Sequence, residues 1–287
     1  MLKVGIIGWG FVGKAVDAGM GIVSDVLIYD KFVDIASGSS LETVVQESDI
    51  IFLCLPTPMN EDGSCNTSII NEVANEVNKI ASNSKAIIIK STIPPGSTQA
   101  LANKFTKHSW FFNPEFLTQR TYIEDFLNQD RIFIGHTKQA TLEHVELVTE
   151  LFEQFTNQQS EPAVIKYTES QEAEMLKYVS NCFLATKVTF FNEIYEICKY
   201  ANIDYEKIIK YLKIDQRIGK THMQVPGPDG KFGFGGSCFP KDISALIAYA
   251  QKLDIDPLVL GSVWAKNLMI RESYEWEELA QVTGEYE

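Results

Sequence analysis

An α/β fold, a doubly wound sheet followed by an all-helical unit, is predicted by three observations. Short, near-continuous apolar runs alternate with helix-like stretches through the first half of the chain. A glycine-rich turn follows the first of those runs directly. Between residues 169 and 202 there is no Gly or Pro, and apolar residues recur at helical spacing. The 287 residues suffice for one large domain or two ordinary ones.

Taken in order, the strands fall at 3–8 (KVGIIG), 26–30 (VLIYD), 49–55 (DIIFLCL), 86–91 (AIIIKS), 110–113 (WFFN), 131–135 (RIFIG) and 163–167 (AVIKY). Runs of Ile, Val and Leu without alternation mark strands covered on both faces, as in a parallel sheet. Amphipathic segments such as SIINEVANEVNKIA and TLEHVELVTELFEQF supply the covering helices. The long helix carries Met175, Val179, Cys182, Phe183, Thr186, Phe190, Ile194, Ile197, Cys198 and Ala201 at its apolar positions. Further helices are expected in YEKIIKYLK, KDISALIAYAQKL and PLVLGSVWAKNLMIRE, and the acidic tail EWEELAQVTGEYE reads as a solvated helix end. The organisation is therefore two domains, 1–165 and 166–287.

The turn after the first strand reads GWGFVG, a GxGxxG spacing with Gly8, Gly10 and Gly13 around Phe11 and Val12. The first glycine allows a tight turn, the second lets backbone approach a pyrophosphate, and the third lets helix pack on strand. The helix that follows presents free N–H groups to phosphate. Alone the motif is weak. Here Asp30 closes the second strand roughly 20 residues on, where a ribose-binding acid belongs. Its carboxylate accepts from a 2′-hydroxyl and repels a 2′-phosphate, which favours NAD over NADP. A Rossmann-type domain is expected; the bland alternative is a glycine turn beside a surface aspartate.

Composition excludes other classes. The chain is 45% hydrophobic and 22% charged, in the range of globular proteins. No run approaches the roughly 18 apolar residues of a membrane span, and the start, MLKVGIIGWGFVG, is better explained by its glycines than as a signal peptide, so a cytoplasmic protein is expected. A formal net charge of −13 argues against nucleic acid as partner. Cys54, Cys65, Cys182, Cys198 and Cys238 contain no CxxC, and His108, His136, His144 and His222 contain no HExxH-type spacing, so neither a disulfide framework nor a metal is expected. IGKT at 218–221 ends like a phosphate loop but has Ile214 where that motif needs glycine.

KFGFGGSCFPKD, residues 231–242, sets one cysteine after three glycines and before Pro240, which suits the first turn of a helix. A thiol at a helix N-terminus with Lys241 close by is favoured as thiolate and nucleophile. The competing reading is a small inert residue after a flexible loop. Cys54, Cys182 and Cys198 read as structural, and Cys65 as an ordinary loop residue.

GFGGSCFPKD resembles the catalytic-cysteine segment of the UDP-glucose/GDP-mannose dehydrogenase family. The GxGxxG start, LPTP (55–58), KSTIPPGST (90–98), NPEFL (113–117), IEDFLNQDRIFIG (123–135), EAEMLKYVSN (172–181) and DQRIG (215–219) match in the same order. The resemblance covers essentially the whole chain and implies oxidation of a nucleotide sugar at C6, from alcohol to acid, with two NAD⁺ in succession. It implies that Cys238 forms a thiohemiacetal and then a thioester. Lys177 and Asn181, four apart and so on one helix face, are implied to stabilise charge on oxygen near C6. Asp242 is implied to position Lys177 and a water, and Glu115, aided by Thr92, to act as acid and base in hydrolysis. Thr57, Thr92, Gln119 and Lys241 are implied along the cofactor, with Glu115, Phe116, Leu117, Lys177, Asn181, Phe232 and Gly235 at the substrate. Arg217 of DQRIG is implied to reach the neighbouring subunit's substrate in a homodimer built on the long helix. Without the resemblance, Lys177 and Asn181 read as a polar surface patch and Glu115 as a turn carboxylate.

Three departures stand out. Gln119, preceded by Thr118, replaces a glutamate common in the family; the loop HMQVPGPDGK (222–231) is longer than usual; and the chain stops where the long family form continues into a third, nucleotide-binding domain. The KD ending of the cysteine segment favours UDP-glucose, with GDP-mannose open. The alternatives are a two-electron dehydrogenase of the 6-phosphogluconate or 3-hydroxyisobutyrate type, which needs no cysteine, and a relative that binds but does not turn over.

Overall fold

The computed structural model describes residues 2–33, 35 and 38–283. It divides into two compact units, one formed by the chain up to Thr57 with Asn66–Lys177, the other by Pro58–Cys65 with the chain from Tyr178 onward.

The N-terminal unit is a three-layer α/β structure. Its strands are β1 (Lys3–Ile7), β2 (Asp25–Tyr29), β3 (Ile50–Leu53), β4 (Ala86–Ile89), β5 (Ser109–Phe112), β6 (Arg131–His136) and β7 (Val164–Glu169), in the order β2-β1-β3-β4-β5-β6-β7. All seven lie where the apolar runs placed them. Between them run α1 (Phe11–Met20), α2 (Leu41–Glu47), α3 (Ser68–Ile80), α4 (Ser97–Lys104), α5 (Tyr122–Leu127) and α6 (Leu142–Thr156). Because side chains alternate across a strand, Ile50 and Phe52 of β3 join α1, α5 and α6 in one core, while Ile51 and Leu53 join α2, α3 and α4 in the other. Lysines close two helix ends: Lys85 Nζ donates to the carbonyls of Gln46 and Ser48 after α2, and Lys107 Nζ to those of Asn78 and Ala81 after α3.

Two expectations need correction here. The sheet is not wholly parallel, since β5 and β6 pair antiparallel while β6 and β7 pair parallel. Nor is every strand covered on both faces, because β7, at the sheet edge, has only Ile165 and Thr168 half-buried and its other residues exposed.

α7 (Ser170–Ala201) is a single helix of 32 residues, matching the stretch free of Gly and Pro. The division between the units falls within it. In the C-terminal unit it is joined by α8 (Tyr205–Leu212), α9 (Phe239–Lys252), α10 (Leu258–Ile270), a 3₁₀ turn (Glu275–Glu277) and α11 (Ala280–Thr283). Two small cores hold this unit together, one around Phe191, Tyr205 and Met223, the other around Ala185, Phe234 and Ile243. The turn at 58–65 belongs here too: Met59 bridges Cys65, and its N–H donates to Val282 O at 2.8 Å. The tail is not a solvated helix end, for Trp276 is buried against Trp264 and Tyr274, and Val282 is buried as well. The last part of that tail, 284–287, lies outside the described residues.

Candidate active site

In the N-terminal unit the glycine turn is built as its spacing predicts. Gly8 has φ +93°, and its N–H donates to Tyr29 O at 2.9 Å. A Cβ at Gly13 would fall 2.1 Å from Gly8 O, so α1 can approach β1 only with glycine there. A Cβ at Gly10 would meet nothing within 4 Å, and Gly10 caps α1 with no side-chain bond. Open space beside an uncapped helix N-terminus fits a pyrophosphate. Phe11 and Val12 form the first turn of α1. Asp30 closes this corner: Oδ2 accepts from Trp9 N at 2.7 Å, and Oδ1 from Phe32 N and Val33 N at 2.8 and 3.0 Å. The carboxylate thus anchors the turn and keeps acceptor capacity for a ribose hydroxyl.

The polar residues of NPEFL meet the start of α7 within the same unit. Lys177 Nζ donates to Glu115 Oε1 and to Glu115 O, both at 2.7 Å, and both side chains are buried. Glu115 Oε2 accepts from Leu117 N at 2.8 Å, which fixes the turn. Phe116 lies under Lys177 and Arg131, with ring centroids 5.8 and 5.1 Å from their charges, and with Leu117 it lines an open cleft of about 600 Å³. Thr57 Oγ1 donates to Thr92 O at 2.8 Å, tying LPTP to KSTIPPGST. Gln119 is exposed.

In the C-terminal unit Cys238 is the N-cap residue of α9, with Pro240 in the first turn. The same turn carries Lys241 and Asp242. Asp242 is 1% exposed; its Oδ2 accepts from Asn181 Nδ2 and its Oδ1 from Lys241 Nζ, each at 2.6 Å. Burial opposes the charge of Lys241, but the Asp242 carboxylate overrides it and raises the ammonium above its ordinary value, aided by Cys65 and Cys238. Lys241, expected along the cofactor, therefore has its ammonium bound to Asp242. Arg217 lies exposed on the loop after α8, its guanidinium paired with Asp215 at 2.6 and 3.0 Å. Phe232 packs on Tyr195 at 5.6 Å, and Gly235 lies beside Arg271 and Glu275. The structural thiols are as expected: Cys182 and Cys198 are buried on α7, and burial pushes Cys54 up to about 12.

The pattern of the UDP-glucose/GDP-mannose dehydrogenase family, NAD binding domain, matches residues 31–156, and that of its central domain matches residues 171–268. The chain belongs to this family. The UDP-glucose 6-dehydrogenase YwqF of Bacillus subtilis is 35% identical over 232 residues, which cover 78% of this chain and 50% of that protein. The UDP-glucose 6-dehydrogenase of Rickettsia prowazekii is 35% identical over 76% of this chain and 49% of its own length. A UDP-glucose dehydrogenase structure from the archaeon Pyrobaculum islandicum superposes with a TM-score of 0.82 at 26% identity, over 94% of this chain and 68% of that one. The chain spans about half the length of the curated relatives it matches. Within the family the cofactor is NAD, in keeping with the glycine turn and Asp30.

For a UDP-glucose/GDP-mannose dehydrogenase family chain, the structure adds residues that the motifs did not single out. Lys90 is fully buried and donates to Asn113 Oδ1 at 2.8 Å, while Asn113 Nδ2 donates to Phe133 O at 2.7 Å, so the first residue of NPEFL is held from both sides. Burial pushes the Lys90 ammonium down to about 8. Glu174, completely buried one turn before Lys177, accepts at 2.8 Å from Thr98 N and also from Gly96 N and Thr98 Oγ1 at the start of α4. Burial pushes its carboxyl up to about 7 against the pull of those donors. Lys90, Asn113 and Glu174 all lie inside quoted motifs, which was the signal available; their pairing was not, because Thr98 and Glu174 are 76 residues apart.

Among the described residues, no helix is long and apolar enough to cross a membrane.

Proposed function

We propose that this chain supports NAD-dependent oxidation of a nucleotide sugar at C6, UDP-glucose to UDP-glucuronate, through a covalent adduct on Cys238. The observation that carries the reading is the thiol at the N-cap of α9, one turn from a buried Asp242 that holds Asn181. The names of the relatives support UDP-glucose as the sugar. Gly8, Gly10, Phe11, Val12, Gly13 and Asp30 would hold the dinucleotide, with Thr57, Thr92 and Gln119 further along it. When bound, NAD accepts hydride from the sugar carbon, one NAD in each of two rounds.

The chain's own residues do the rest. Lys177 and Asn181 would donate to the C6 oxygen as the alcohol loses its proton and becomes aldehyde. The Cys238 sulfur then bonds to C6 and the thiol proton passes to oxygen, giving a thiohemiacetal. Loss of a hydride and the hydroxyl proton leaves a thioester, so the aldehyde is never released. Glu115, aided by Thr92, would take a proton from water as it adds to the thioester carbonyl. The C–S bond breaks, the thiol regains its proton, and the acid departs. Phe116, Leu117, Phe232 and Gly235 would line the sugar nucleotide. Arg217, exposed as it is, would serve the substrate of a second subunit. A homodimer is supported by the apolar stripe that α7 leaves uncovered, with Val179, Phe183, Phe190 and Ile197 all more than half exposed.

The test is a count. Protein is incubated with NAD⁺ and a panel of UDP- and GDP-sugars, and NADH formed per sugar consumed is measured. Two NADH per UDP-glucose, abolished as acid yield by Cys238→Ala, is the expected result. One NADH per substrate, or an undiminished acid yield from Cys238→Ala, overturns the thioester route. No turnover, with UDP-glucose still shielding Cys238 from alkylation, leaves a binding protein.

A further inference from the structure

The segment immediately before Cys238 has no strand or helix to satisfy its backbone, yet its groups are taken one after another by side chains. Arg271 Nη1 donates to Phe232 O at 3.2 Å. Asn192 Oδ1 accepts from Gly233 N at 3.0 Å. Asn267 bonds one residue twice: Oδ1 accepts from Phe234 N at 2.7 Å, and Nδ2 donates to Phe234 O at 3.0 Å. Glu275 Oε1 accepts from Gly236 N at 3.4 Å, and Glu275 is itself paired with Arg271. Asn267 is wholly buried, so its amide replaces a neighbouring strand. The fit leaves no slack: Gly233 has φ +69°, and a Cβ there would lie 2.4 Å from Asn267 Oδ1. Below the loop an aromatic line from Trp276 through Trp264 and Phe234 to Phe239 reaches the residue after the thiol.

We propose that Asn192, Asn267 and Arg271 are positioning residues that set the place and reactivity of the Cys238 thiol through the backbone of residues 232–236. The inference rests on the reading of Cys238 as nucleophile. α7 supplies Asn192, α10 supplies Asn267 and Arg271 follows α10 directly, so the nucleophile's loop is held by side-chain amides and one guanidinium. Arg271 also binds Asp229 Oδ2 at 2.7 Å, which ties the earlier part of the same loop to the same group.

The experiment measures the rate at which iodoacetamide alkylates Cys238, resolved by peptide mass spectrometry across a pH series. The buried Cys54 peptide, which should stay unlabelled while the chain is folded, serves as internal reference. Asn192→Ala removes one bond and should keep the fold; Asn267→Asp, Arg271→Met and Arg271→Lys complete the set, with tryptophan fluorescence confirming folding. Alkylation of Cys238 near neutral pH should slow about fivefold or more, because a thiol moved off the start of α9 and away from Lys241 loses thiolate fraction, and its pH midpoint should move. Cys54 labelling and NADH affinity should not change, and Arg271→Lys should recover part of what Arg271→Met loses. Folded variants that alkylate Cys238 at the wild-type rate and pH midpoint overturn the inference. If the wild type oxidises no nucleotide sugar but the variants still slow alkylation, the frame stands and only the proposed activity falls.

Discussion

Two buried charged groups set what single substitutions will do in the N-terminal unit. Lys177 and Glu115 are 3% and 6% exposed and paired at 2.7 Å, so removing one strands the other in low dielectric. Glu115→Gln is expected to lower the unfolding free energy by about 3 kcal/mol, read from urea denaturation followed by circular dichroism. The double variant Lys177→Met/Glu115→Leu should recover much of that loss; a double variant as unstable as the sum of the singles would contradict the account. His108 gives a pH signature. Burial, with Lys107 and Lys85 adding, pushes its ring down to about 4 in the folded chain, against about 6.5 when unfolded. Between those values the unfolded state binds more protons, so stability present above pH 6.5 drains away as pH falls toward 4. His108→Gln should flatten that part of a plot of urea midpoint against pH; parallel curves for the two proteins would remove His108 from the explanation. At this scale the sequence was readable where a residue type fixes local geometry, as with Gly8 and Gly13 in the turn after β1. It was silent where the chemistry belongs to a pairing of distant positions, such as Glu174 with Thr98 or Asn267 with Phe234.

Among the elements, α1 and α7 carry the sharpest expectations. Gly13→Ala puts a methyl 2.1 Å from Gly8 O, a backbone atom that cannot swing aside. NADH binding, followed by its fluorescence, should weaken by at least about tenfold, and an unchanged Kd would show that α1 does not carry the dinucleotide. On α7, Phe183 and Phe190 are 64% and 56% exposed and seven residues apart, one above the other on the same face. Phe183→Asp/Phe190→Asp should convert a dimer to a monomer in sedimentation analysis while leaving helix content intact. A wild type that sediments as a monomer would dismiss the interface altogether. Every strand and the full length of α7 were legible, because apolar periodicity reports directly on burial. The antiparallel β5–β6 pair was not, since a strand covered on both faces has the same composition whichever way it runs. In the tail, EWEE reads as solvated by its three acids, and one Trp276 reverses the reading because its large apolar area outweighs neighbours that can stay at the surface.

The net charge of these 287 residues bears on the anionic ligands proposed for them. With a formal net charge of −13, the protein should repel NAD and sugar nucleotides at a distance. The screening length falls from about 30 Å at 0.01 M salt to about 8 Å at 0.15 M, so kcat/KM for the proposed sugar-nucleotide substrate should rise across that range before flattening; a steady fall would point instead to a strongly cationic local field. Net charge was plain from composition, but the assignment of residues to units was less so. Pro58–Cys65 joins the C-terminal unit although it lies in the first quarter of the chain, and only contacts such as Met59 with Val282 reveal it. The continuity of α7 has a consequence for how such chains can diverge. Lys177, Asn181 and Asn192 all ride on this one helix, so a residue inserted between them turns everything downstream by about 100° and advances it by about 1.5 Å. Length changes there are therefore quantised, tolerable only near whole numbers of turns, such as about seven residues for two turns or about eleven for three. Divergent sequences should therefore align through 177–192 without gaps.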